Sequence, residues 1–111
     1  MPLAATVPQG RPQICTFPSF QLLSLGSYHA HAAYRFTINL QNGMYDGSDV
    51  AMHFDVRFRY GDSVNTVVRN HCQGGGWGQE ERGVSYFPFM PSANFDIIIL
   101  CEPQAFKVRC R

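Results

Sequence analysis

The stretch "MHFDVRF", Met52 to Phe58, is strictly two-faced. Alternate residues of a strand point to opposite sides, so Met52, Phe54, Val56 and Phe58 share one face and His53, Asp55 and Arg57 the other. The first is a core face. The second presents an imidazole, a carboxylate and a guanidinium in a row, about 7 Å apart. Helix signals are nearly absent: no long segment repeats apolar residues at i, i+3, i+4 and i+7. Short runs rich in Val, Ile, Phe and Tyr recur instead, cut by Gly, Pro, Asn and Asp. They are Phe20 to Gly26, Tyr34 to Leu40 (closed by "QNG"), Asp49 to Phe58 (followed by "YGDS"), Asn65 to Asn70, Phe95 to Leu100 and Phe106 to Cys110. Strands this short and regular predict an all-β fold, an antiparallel two-sheet β-sandwich.

At 111 residues the expectation is a single domain, 1–111, and 45% hydrophobic residues suffice for a core. Residues 1–19, with four of the seven prolines, read as an extended arm with little regular pairing. Nine Lys and Arg against eight Asp and Glu leave a net charge of +1, which gives no electrostatic case for nucleic acid or an anionic membrane. No apolar run approaches the roughly 20 residues of a membrane span. The start, "MPLAATVPQGRPQIC", lacks the basic and apolar regions of a signal peptide. The four cysteines show no CxxC spacing, so a structural zinc site is not expected and reduced thiols are the default.

Three polar residues on a strand are ordinarily a solvated face. A second cluster changes that reading. Asn70 ends the next strand, and "GGWGQEERG", Gly75 to Gly83, comes after it with the only tryptophan of the chain. An indole flanked by glycines suits stacking better than core packing. If the strands pair in sequence order, His53, Asp55, Arg57, Asn70, Trp77, Glu80 and Arg82 share one sheet surface. An aromatic plate beside donors and acceptors of both signs suits a sugar. The C–H patch of a pyranose packs on the ring, and its hydroxyls take hydrogen bonds in both directions.

These blocks, "HFDVRF", "VVRN" and "WGQEER", resemble the galectin pattern H-x-N-P-R-x, V-x-N and W-G-x-E-x-R, with matching spacing. "PSFQLLSLGS", "RFTINL" and "FPFMPSANFDIIILCEPQAFKV" extend the resemblance over almost the whole chain. It implies a galectin-type jelly roll that binds β-galactosides, of the lactose or N-acetyllactosamine kind, on glycoproteins or glycolipids and without a metal or other cofactor. His53 and Arg57 would hydrogen-bond the galactose 4-hydroxyl, Asn70 the 6-hydroxyl, and Trp77 would stack on the apolar face. Glu80 would orient the arginines and reach a second sugar, which Arg82 would contact unless it braces Glu80.

Three departures from the family pattern carry expectations. Asp55 stands where the family has Asn. A carboxylate accepts but does not donate, so a hydrogen bond to the sugar would be lost, Asp55 would compete for Arg57, and Asp55→Asn should tighten binding. Val56 replaces a Pro. The chain ends "FKVRCR" where the family continues with V-N-G and about three more strands. The expectation is therefore a domain incomplete at its C-terminal end, with sheet edges that invite self-association.

Other candidates are weaker. Adjacent strand residues face opposite ways, so Glu80 and Glu81 do not flank one bond and no enzyme is expected. His29 and His31 read as surface loop residues, and Cys72 and Cys101 as small buried hydrophobes. Cys110, between Arg109 and Arg111, is expected to have a depressed pKa. Two readings result: a galactoside-binding lectin, or a galectin-like interaction protein with weak or lost sugar binding. The expected location is the cytoplasm, with export that needs no signal peptide as a second destination.

Overall fold

The computed structural model describes residues 3–6, 19–25, 34–43, 45, 47–91 and 93–110, the first two segments by their backbone alone. The described strands are β1 (Leu3–Thr6), β2 (Ser19–Leu25), β3 (Arg35–Gln41), β4 (Val50–Tyr60), β5 (Ser63–Gln73), β6 (Gly76–Trp77), β7 (Phe95–Cys101) and β8 (Ala105–Cys110). They form two four-stranded sheets, in the orders β1-β8-β7-β2 and β3-β4-β5-β6. All the pairs are antiparallel. No described helix is long and apolar enough to cross a membrane.

The period-two reading of β4 is realised. Met52, Phe54 and Val56 are fully buried and Phe58 nearly so. They meet Ile97, Ile99 and Cys101 of β7 and Phe106 and Val108 of β8 across the sandwich. Phe89 and Phe95 close one end with Phe36, whose ring stacks on Phe95 at 5.0 Å. Each of these large side chains contributes about 1.5–3 kcal/mol by leaving water. Together they hold the second sheet against the first and leave its outer face for polar groups.

The structure corrects three expectations. Within residues 1–19, Leu3–Thr6 is paired along β8, from Leu3 with Val108 to Thr6 with Ala105, and Ser19 already belongs to β2. A four-residue strand is too short to show the alternation that would announce it. Cys101 is disulfide-bonded rather than a reduced thiol. Cys110 is not depressed: burial pushes its thiol up to about 11. His29 and His31 lie outside the described residues.

Two tight turns set the positions of the polar side chains on β5 and β6. Gly61 has a φ of 58° between β4 and β5, and Tyr60 pairs with Ser63 across it. A positive φ at the first of two loop residues is the type II′ pattern that matches strand twist. At the other end of β5, Gly74 and Gly75 have φ of 60° and 81°, and Gln73 pairs with Gly76. Two positive angles make a type I′ hairpin, which only glycine-like residues enter cheaply. The glycines before the indole are therefore the hairpin that lays Trp77 back beside Cys72.

Candidate functional site

The expectation that strands β3 to β6 pair in sequence order is met, and it collects the polar clusters on the outer face of the second sheet. His53 stands opposite Asn39 on one side and Asn70 on the other. Asp55 stands between Thr37 and Val68, and Arg57 between Arg35 and Thr66. A cavity of about 330 Å³ opens over this face, lined by His53, Arg57, Val68, Asn70, Trp77, Gly78 and Glu80.

One end of the cavity is built from neutral groups. The His53 ring meets Trp77 edge-on, with centroids 5.0 Å apart, and the indole is 56% exposed. His53 Nδ1 lies 2.7 Å from Asn39 Oδ1. A carbonyl oxygen only accepts, so Nδ1 carries the proton and Nε2 is left as an acceptor. Burial lowers the His53 pKa, partly opposed by the nearby Asp55 carboxylate, and so favours this neutral form. Asn70 donates from Nδ2 to the Gly78 carbonyl at 3.0 Å and accepts the His71 amide at Oδ1 at 2.8 Å. The Gly78 amide in turn donates to the His71 carbonyl at 2.9 Å. A side chain at Gly78 would begin 2.6 Å from the His71 ring and 3.1 Å from Asn70 Oδ1. A glycine there lets the tryptophan segment lie close on β5.

The other end is a chain of charges. Asp55 accepts from Arg57 Nε at 2.7 Å, from the Thr37 hydroxyl at 2.8 Å and from Arg35 Nη1 at 3.4 Å. The Ser63 hydroxyl accepts from Arg57 Nη1 at 3.2 Å and from Arg82 Nη1 at 3.0 Å. Arg82 then grips Glu80 Oε2 through Nε at 2.7 Å and Nη2 at 2.6 Å. Tyr60 lies against both strand arginines, its ring centre 4.0 Å from the Arg35 guanidinium and 5.0 Å from that of Arg57.

His53, Arg57, Asn70, Trp77 and Glu80 thus meet around one cavity. Arg82 stands behind Glu80 and braces it. Asp55 does not reach the cavity: its side chain is 0% exposed, and Val68, its neighbour in register, forms the floor there. The sequence reading missed Thr37, Asn39, Tyr60, Ser63 and Val68. Asn39 and Thr37 sit in the "RFTINL" block, and the alternation of that strand puts them on the polar face. Ser63 could be found only by knowing that the turn at Gly61 folds it back onto Arg57.

The comparisons agree with this geometry. The family profile described as "Galactoside-binding lectin" matches residues 15–110. Galectin-4 of Bos taurus is 43% identical over 74 residues, which are 67% of this chain and 21% of that protein. Galectin-7 of Homo sapiens is 39% identical over 75 residues, 68% of this chain and 52% of that protein. This chain therefore spans about a fifth of the first relative and half of the second. A solved structure of "CG-16, a homodimeric agglutinin from chicken liver" superposes with a TM-score of 0.70 at 26% identity, over 99% of this chain and 75% of that one. "Lactose and MES-liganded congerin II" gives 0.69 at 28% identity, with the same coverage. These are carbohydrate-binding lectins rather than enzymes, and the chain belongs to their family, the galectins.

Proposed function

We propose that this chain binds β-galactosides of the lactose or N-acetyllactosamine type, without a metal, in the cavity over β4 to β6. The observation that carries the reading is the convergence on that cavity of an exposed indole and of acceptors and donors of both signs, from His53, Arg57, Asn70 and Glu80. Trp77 offers its face to the apolar side of galactose. His53 Nε2 accepts from a hydroxyl, and Arg57 donates to the same end of the sugar. The second Nδ2 hydrogen of Asn70 donates to another hydroxyl, and Glu80 reaches toward the adjoining sugar. Congerin II, a relative in fold, has been solved with lactose, which supports this choice.

Glycoproteins and glycolipids ending in galactose are the partners of this reading. Self-association belongs to it as well, in keeping with the homodimeric chicken lectin. A disulfide at Cys101 suits an oxidising compartment, which favours the exported destination. Calorimetry with lactose, and with mannose as control, tests the function. Saturable heat with lactose alone is expected, and equal or absent heats would overturn the reading.

A further inference from the structure

We propose that Asp55 is a positioning residue: its buried carboxylate, tied to β3 by Thr37, fixes the Arg57 guanidinium against the cavity, and of the two only Arg57 meets the ligand. This inference rests on the galactoside reading for its binding consequence, but not for its structural one.

Arg35 and Arg57 stand directly opposite each other on β3 and β4, a like-charge cross-strand pair that is destabilising by itself. Asp55 lies one pleat along, and both guanidinium groups turn toward its Oδ2, at 3.4 and 2.7 Å. Its second oxygen is taken by the Thr37 hydroxyl at 2.8 Å. The carboxylate has no exposed surface with which to touch a sugar. What it determines is the angle of the Arg57 fork. Nε is spent on Asp55 and Nη1 on Ser63, so Nη2 is the group left to donate into the cavity. A planar guanidinium held at two of its three nitrogens cannot rotate, and the third is aimed before any ligand arrives. Asparagine at this position keeps the shape but removes the charge that lies between two arginines. Asp55→Asn is therefore predicted to weaken binding, the opposite of the expectation drawn from sequence.

The test uses the full chain labelled with 15N-arginine at neutral pH, and Arg57→Lys assigns the Arg57 Nε–H resonance by its disappearance. In the unaltered chain that proton is expected downfield and slow to exchange. Asp55→Asn should move it upfield, speed its exchange, and weaken lactose binding about 10-fold. Thr37→Val, at an exposed side chain, should shift the same resonance and weaken binding about 3-fold, and it serves if Asp55→Asn does not fold. An unmoved resonance in either variant, or tighter lactose binding in Asp55→Asn, would overturn the proposal. If the unaltered chain ignores lactose while the resonance responds as stated, the galactoside reading falls and the positioning role stands.

Discussion

The two ends of the cavity are held by different forces. Around Trp77 the restraints are neutral: a glycine hairpin, the Asn70 amide on the Gly78 carbonyl, and the His53–Asn39 contact. Around Arg57 they are ionic, running from Asp55 through Ser63 to Arg82 and Glu80. The neutral end is shaped by backbone geometry, so its exposed indole can be removed without disturbing the fold. The ionic end reaches a carboxylate with no access to water, so removing its nearer partner, Arg57, leaves a buried charge, whereas Glu80 and Arg82 at the far end are exposed. On the galactoside reading, one end of this surface would serve binding alone and the other both binding and stability.

The largest effect is expected from Arg57→Ala. It strips Asp55 of its nearer ion-pair partner and should cost about 3 kcal/mol of stability as well as lactose binding. Denaturant unfolding measures the first quantity. A variant as stable as the unaltered chain would show that the ionic end is merely surface decoration.

Trp77→Ala should do the opposite. Stability should change by less than about 0.5 kcal/mol, since the side chain is more than half exposed, while binding falls by about 2 kcal/mol or more. Calorimetry beside unfolding separates the two effects. A large loss of stability would mean that the indole is a core residue after all.

The smallest effect expected is that of pH, and it comes from the neutral end. The folded His53 pKa is lowered below its ordinary 6.5, mainly by burial. The unfolded chain therefore binds a proton before the folded one does. The His53 contribution to stability is complete above 6.5 and is lost as pH falls through the lower, folded value. Lactose affinity should decline with it, because protonation removes the Nε2 acceptor. Titrations between neutral pH and about 5 should show a flat region and then a decline. Affinity that rises on acidification would place the opposite tautomer in the site.

Much of this was legible in the sequence because the signals are local. The alternation of Met52 to Phe58 gives both the core and the site with one rule. The glycines before Trp77 announce a backbone that bends where other residues cannot, and the indole is exposed as expected. What was not legible depends on the neighbouring strand. Asp55 looks like a sugar contact until Thr37 is seen across from it and Arg35 on the diagonal. Ser63 looks like a turn residue until the hairpin returns its hydroxyl to Arg57 and Arg82. The pairing of Leu3–Thr6 with β8 joins residues about a hundred positions apart, and no window of sequence contains both. Burial decides Cys110 in the same way: its charged neighbours in sequence matter less than the lost water.

On the galactoside reading, an exposed indole and a pre-aimed polar set receive the sugar together. Because Trp77 is the only tryptophan, its fluorescence reports on that event with no competing signal. Titrating the full chain with lactose should shift or quench the emission saturably, with mannose leaving it unchanged. Emission that is blind to lactose at high concentration, or that answers both sugars alike, would contradict the account.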